Sequence, residues 1–284
     1  MAAVATVASD WVLGLDPVAF AAAAGYADLD DWQQTILRKK PRRLLLNASR
    51  QCGKTLCVAL LATHQAIYRE RSLTVAVAVA QRQAAELVRT CRDIYVAVGR
   101  PEPAVSENKL SLELHNKSRI LAVPSTEATI RGLSHVDLLI LDEASRVPDA
   151  TYRAVLPFLA TSDGKLALLS TPAGRRGFFY QAFVERDQWH YVEVPGVACT
   201  RIPATFLVEQ RRKMSQDLYA QEWENAFNSS ERGAFREEDI DRAVRSYTTW
   251  NLRQYEPGAA AHSQQEQEQQ EVSPRWNLSQ YRIS

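Results

Sequence analysis

Residues 48–55 read Ala-Ser-Arg-Gln-Cys-Gly-Lys-Thr. Gly53, Lys54 and Thr55 fill the last three places of the pattern G-x-x-x-x-G-K-[ST], and Ala48 stands where the first glycine would be. In a loop of this kind, backbone amides and the start of the following helix cradle phosphate oxygens. Lys54 would neutralise the β- and γ-phosphates of a nucleotide, and Thr55 would offer its hydroxyl to Mg²⁺. Gly53 would allow a close backbone approach that a Cβ would block. Alone, the tripeptide is a weak signal, because a surface loop can carry a stray lysine. A second signal lies downstream: the apolar run Leu138–Leu141 delivers two acids, Asp142 and Glu143. Asp142 suits the shell of a Mg²⁺ ion. Glu143 suits the base that orients and activates an attacking water. Two solvated acids at a strand end are the ordinary alternative. The two signals are independent, and each is what the other requires for hydrolysis of ATP.

Both motifs need strands to carry them. Leu44–Leu46 is a short buried strand that feeds the loop, and Leu56–Tyr68 is the helix behind it. Leu73–Ala80 alternates Val with Ala as a strand, and Gln81–Val98 has helical spacing of apolar residues. Pro101 and Pro103 mark a loop, and Leu110–Leu114 with Arg119–Val123 predict a hairpin. Leu138–Leu141, Lys165–Leu169 and Tyr191–Val194 are further strands. Pro17–Ala24, Pro148–Leu159, Phe178–Glu185 and Thr205–Phe227 read as helices. Strands alternating with helices predict an α/β fold with a mainly parallel central sheet flanked by helices, as in P-loop NTPases of the ASCE/RecA-like type. Ligands of such sheets bind at the carboxyl ends of the strands, where Lys54, Asp142 and Thr171 would converge. Residues 1–31 form a helical lead-in, 32–245 the ATPase domain with a helical extension, and 246–284 a tail. Its Ala/Gln/Glu stretch, 259–271, is too poor in apolar side chains to offset its ordering entropy.

With a net charge of +1 over 284 residues, the chain has no global basic field to hold nucleic acid. Local patches would have to do so. Arg38, Lys39, Lys40, Arg42 and Arg43 lie in an acid-free basic segment, and Arg211-Arg212-Lys213 is a smaller one; each is equally a solvated face. Cys52, Cys57, Cys91 and Cys199 form no C-x-x-C pair, and the five histidines show no ligand spacing, so a reduced, soluble protein without a zinc site is expected. No signal peptide or membrane span is read.

Ser49-Arg50-Gln51-x-Gly-Lys-Thr resembles the variant Walker A of the large terminase subunits of tailed phages, motors that pump double-stranded DNA into a procapsid. That family often lacks the first glycine and carries an early arginine, as Ala48 and Arg50 do. Trp32-Gln33 looks like its adenine-recognising Q motif. Ile130-Arg131-Gly132 precedes the Walker B strand as in these motors, and Leu141-Asp142-Glu143-Ala144 looks like Walker B with its catalytic glutamate. Ser170-Thr171-Pro172 resembles the coupling motif after the next strand. Gln221-Glu222-Trp223 to Phe235 and Glu238-Asp239-Ile240 resemble the stretch that leaves the ATPase core. The likeness runs from Phe20 to Ala243.

The resemblance implies an ATP- and Mg²⁺-dependent hydrolase whose nucleotide contacts are Gln33, Ala48, Ser49, Arg50, Gln51, Cys52, Gly53, Lys54 and Thr55. Thr55 and Asp142 would hold the metal, and Glu143, Lys54 and Arg50 would serve catalysis. Arg50, Arg131 or an arginine of a neighbouring subunit would reach the γ-phosphate. Gln33 is otherwise a plain helical glutamine, Trp32 a packing residue, and Ser170 and Thr171 otherwise helix caps. Implied partners are double-stranded DNA, a portal protein, a small terminase subunit and copies of the chain in a ring, in the bacterial host cytoplasm and transiently at the procapsid portal. Full-length family members carry a C-terminal nuclease domain; here 41 residues follow Ala243, so an ATPase-only chain is expected, either a truncated gene or one half of a split motor with a separate nuclease subunit. The acids Glu237, Glu238, Asp239 and Asp241 are read as a helix start rather than a metal site. A helicase-like ATPase or an inactive terminase remnant are the alternative readings.

Overall fold

The computed structural model describes residues 10–124 and 133–228. Chain contacts separate residues 1–234 from 235–284, and the described residues all belong to the first unit. Arg131 and the acids at 237–241 lie outside the described residues.

Eight strands make one sheet: β1 (Arg43–Ala48), β2 (Leu73–Ala78), β3 (Ala104–Asn108), β4 (Ser111–Leu114), β5 (Arg119–Pro124), β6 (Leu138–Asp142), β7 (Lys165–Ser170) and β8 (His190–Val194). Their order is β3-β4-β5-β2-β6-β7-β1-β8. From β5 to β8 every pairing is parallel. The edge formed by β3 and β4 is antiparallel. The expected hairpin is thus a three-stranded meander, because residues after Pro103 pair with β4 instead of staying a loop.

Strand residues alternate between two apolar layers, as a period of two dictates. Leu44, Leu46, Ala76, Ile140, Ala167 and Leu169 face one layer. There they meet helices α1 (Pro17–Ala23), α2 (Asp31–Lys39), α3 (Lys54–Tyr68) and α4 (Gln81–Ala97). Leu45, Val75, Val77, Leu139, Leu141 and Leu168 face the other, against α5 (Asp149–Val155), α6 (Gly177–Val184) and Phe227. Coverage of both faces explains why the strands read as continuous apolar runs. Each Leu or Val so buried contributes about 1.5–3 kcal/mol.

The helix expected over Pro148–Leu159 ends at Val155, and a 3₁₀ turn over Leu156–Leu159 holds Pro157. The one expected over Thr205–Phe227 is two helices, α7 (Ala204–Lys213) and α8 (Gln216–Trp223). Ser215 breaks it by capping α8, its hydroxyl accepting from the Leu218 amide at 3.3 Å. No helix among the described residues is long and apolar enough to cross a membrane.

The basic segment lies at the amino end of β1, the end of the sheet opposite the phosphate loop. Most of its cations have local partners. Arg38 bonds Gln34 at 3.3 Å and faces Asp16 at 3.9 Å. Arg42 pairs with Asp163, and the Arg43 guanidinium lies 5.7 Å from the centroid of the Trp189 ring.

The strand β7 sits between β6 and β1, so its register sets the distance between the loop and the carboxylates. Gly164, at its entry, has no room for a side chain: a Cβ there would stand 2.1 Å from the Val136 carbonyl oxygen and 2.7 Å from Leu159 Cδ2. Gly164→Ala is expected to destabilise the fold by about 1–3 kcal/mol, read as a fall in the thermal unfolding midpoint. An unchanged midpoint would show that β7 can shift without cost.

Candidate nucleotide site

The phosphate loop leaves β1 at Ala48 and enters α3 at Lys54. Its carbonyls are tied inward. Lys54 Nζ donates to the Ala48 and Ser49 oxygens at 2.6 and 3.0 Å. Arg201 Nη2 donates to the Cys52 oxygen at 2.8 Å, and Gln33 Nε2 to the Gly53 oxygen at 3.2 Å. The Gly53 oxygen also accepts the Cys57 amide at 3.1 Å. The amides do the opposite. From Arg50 to Leu56, no backbone N–H is bonded to an acceptor among the described residues. Inward carbonyls and unpaired amides at the start of a 15-residue helix make a cradle for an anion.

Two backbone positions make the loop possible. Gly53 has φ +82°, and a Cβ on it would stand 2.8 Å from Gln33 Nε2. Gln51 takes φ +61°, the left-handed region, without being glycine.

Lys54 is buried. Burial lowers its pKa, while Glu143 and Asp142 oppose that shift. Asp142 is buried at the end of β6, and burial raises its pKa, with the neighbouring Glu143 charge adding to the rise. Thr55 Oγ1 donates to Asp142 Oδ2 at 3.1 Å, so the helix that starts at the loop and the carboxylate strand meet here. A hydroxyl and a carboxylate side by side are hard oxygen donors of the kind Mg²⁺ takes. Glu143 turns away from β6 with φ +51°, and its amide donates back to Asp142 Oδ1 at 2.9 Å. The two acids therefore diverge, as adjacent residues leaving a strand must.

Ser170 and Thr171 are buried at the end of β7. The Ser145 hydroxyl bonds the Ser170 hydroxyl at 2.7 Å and donates to the Thr171 oxygen at 2.8 Å. Thr171 Oγ1 has no partner among the described residues. Neither residue caps α6; Asp149 Oδ1 does, accepting the Phe178 amide at 3.0 Å.

Arg50, Gln33 and Trp32 have partners that the sequence reading did not name. Arg50 pairs with Glu222 through its Nε, and its Nη2 donates to Glu222 Oε1 at 3.3 Å. That hydrogen bond raises the Arg50 pKa. Gln33 is fully buried beneath the loop, where its Oε1 accepts the Asp30 amide at 3.0 Å. It props Gly53 rather than lying open on a helix surface. Trp32 is bonded to Asp30 through Nε1 at 3.2 Å.

Several contacts that hold the loop in place carry no signal in the sequence. Asn225 exchanges amide bonds with Asn47, each side-chain nitrogen lying 3.3 Å from the other's backbone oxygen. The Ser49 hydroxyl donates to the Trp223 oxygen and lies 3.1 Å from Asn225 Oδ1. Arg201 bridges Cys52 to Asp30, whose Oδ2 lies 2.7 Å from Nη2. These partners are remote in sequence, so no spacing rule reaches them. Cys52 lies buried in the loop, its thiol pushed up to about 12 by burial first.

A sheet whose loop strand β1 and carboxylate strand β6 flank one further strand, with an amide cradle at the carboxyl ends, defines a P-loop NTPase domain of the additional-strand class. The chain belongs to the family of terminase large subunits, T4likevirus-type, N-terminal, whose model matches residues 45–276. Solved structures share the fold. The large terminase ATPase domain of Thermus phage P74-26 is 19% identical with a TM-score of 0.66, over 73% of this chain and 97% of that one. The HK97 bacteriophage large terminase is 19% identical with a TM-score of 0.56, over 70% and 50%. The large terminase of another thermophilic bacteriophage is 10% identical with a TM-score of 0.58, over 70% and 53%. The chain thus spans about half the length of the latter two.

The raised pKa of Asp142 has a consequence for stability. Between its unfolded and folded values the folded chain binds more protons, so this group's contribution is present at low pH and lost as pH rises through the folded value. Asp142→Asn removes that liability and keeps a partner for Thr55, whose hydroxyl can donate or accept. The nucleotide-free variant is expected to melt higher at pH 7, by about 2–4 °C for each kcal/mol regained, with the gain shrinking as pH falls. A lower midpoint at pH 7 would contradict the buried charge.

Proposed function

We propose that this domain binds ATP with Mg²⁺ and hydrolyses it to drive double-stranded DNA into a phage procapsid, as the ATPase part of a large terminase. The observation that carries the reading is the loop from Arg50 to Leu56, whose amides are left without acceptors among the described residues while its carbonyls are tied inward. The same reading makes DNA, a portal protein, a small terminase subunit and further copies of the chain its partners.

Each residue has a task. The unpaired amides bind phosphate oxygens. Lys54 leaves the Ala48 and Ser49 carbonyls to meet the β- and γ-phosphates, and the added negative charge holds it protonated. Thr55 and Asp142 would hold Mg²⁺, which when bound neutralises charge on the phosphate oxygens. Glu143 accepts the proton of the water that attacks the γ-phosphorus. Ser170 and Thr171, tied to the turn after Glu143 through Ser145, would answer the presence of the γ-phosphate, and the Thr171 hydroxyl, which has no partner among the described residues, supports that role. Arg50 has to release Glu222 before it can stabilise transition-state charge.

Glu143→Gln is expected to keep ATP affinity and lower kcat by about 10²–10⁴-fold, since the amide cannot take the proton. Lys54→Ala is expected to weaken ATP binding by about 1.5–3 kcal/mol. Phosphate release and binding of a fluorescent ATP analogue, with and without Mg²⁺, check both. Steady-state release by Glu143→Gln equal to wild type would remove Glu143 from the chemistry.

Arg50→Ala separates two roles. A transition-state contact predicts a lower kcat with little change in KM, and Arg50→Lys would not restore it because a point charge lacks the planar fork. A raised KM alone would make Arg50 a ground-state phosphate contact.

A further inference from the structure

The turns that follow β6 and β7 line an open cleft of about 830 Å³, and Arg146 from the first turn and Arg176 from the second are both in its lining. Both side chains are exposed. Among the described residues neither guanidinium has an ion pair or hydrogen bond. The one carboxylate of the lining, Asp149, is committed to the Phe178 amide at 3.0 Å.

We propose that this cleft grips the phosphodiester backbone of duplex DNA through Arg146 and Arg176; the proposal rests on the motor reading above and names where its DNA is held. Three observations carry it. The cations are unpaired among the described residues, whereas Arg38, Arg42 and Arg43 at the far end of the sheet are engaged with Asp16, Asp163 and Trp189. The cleft is open and its arginines stay hydrated, which suits a polymer bound by release of counterions rather than a small anion that must be enclosed. Its walls also continue from the strand ends that hold the candidate chemistry. The Arg146 amide donates to the Glu143 oxygen at 2.9 Å, and Ser145 in the lining bonds the Ser170 hydroxyl at 2.7 Å. Arg176 follows Ser170–Pro172 in the turn after β7. Backbone phosphates held by the two arginines therefore pull on the turns that place Glu143 and the Ser170–Pro172 segment. Contacts to phosphate alone read no sequence, as movement along any duplex requires.

The test is anisotropy titration of a short fluorescent duplex with the full chain, from about 50 to 200 mM salt. Alongside, DNA-stimulated phosphate release is measured. Loss of two phosphate contacts in Arg146→Gln/Arg176→Gln is expected to make the slope of log K against log salt shallower by about 1.8. DNA stimulation is expected to fall with it. Arg146→Lys/Arg176→Lys keeps the charges and is expected to keep the slope, while Arg42→Gln/Arg43→Gln is expected to leave it at wild type. Thermal unfolding checks that each variant folds, and the single Arg176→Gln, with half the slope change, substitutes for a double variant that does not. A wild-type slope in the folded glutamine variants, with wild-type stimulation by DNA, overturns the cleft and leaves the motor reading standing. A wild-type chain that neither binds DNA nor responds to it overturns both.

Discussion

The Lys54 ammonium folded onto the carbonyls of Ala48 and Ser49 is the interaction on which the rest of the site depends. A buried cation needs partners, and the loop's own oxygens supply them. That choice orients the peptide units. Once the carbonyls point at Lys54, Gln33 and Arg201, the amides point the other way, and the loop is set to receive an anion before any arrives. On the proposed reading, nucleotide binding would exchange partners at Lys54 instead of ordering a loop, which would keep the entropic cost of binding low.

Around this loop the fold holds charged groups that are costly to bury. Asp142 and Lys54 are each pushed toward neutrality by burial, and each carries its neighbours' opposing charge as partial relief. Phosphates and a divalent cation would complete the balance. The parallel sheet makes this arrangement geometrically simple: β1, β7 and β6 lie side by side and end together, so three separate sequence segments deliver Lys54, Ser170 and Asp142 to one edge.

The end of α8 contributes from a distance. Glu222, Trp223 and Asn225 bond Arg50, Ser49 and Asn47 in succession, so the chain leaving the core is stitched to the strand that carries the phosphate loop. Buried amide exchange of this kind is strong in a low-dielectric setting and leaves costly unpaired groups when broken. The conformation of the loop and the position of the exiting chain are therefore coupled.

The sequence by itself determined the class of fold and the main chemical groups. Apolar runs of strand length alternating with helical periods leave few arrangements other than a covered parallel sheet, and Lys54, Thr55, Asp142 and Glu143 are recognisable because each motif is local: a few residues at a strand end. Elements broken by a single short-range competitor escape such a reading, as where Ser215 caps α8 and splits a continuous helical period, or where residues after Pro103 pair as an edge strand. Only the tertiary structure decided what Arg50, Gln33 and the basic segment do. Arg50 meets Glu222, Gln33 supports Gly53 from beneath, and Arg42 and Arg43 face Asp163 and Trp189 at the end of the sheet away from the loop. Each of these depends on a partner brought near by folding and not by spacing along the chain. Side-chain type fixes what a group can bond, but the partner it finds is set by sheet order and helix packing, which join residues such as Asn47 and Asn225 that no local pattern relates.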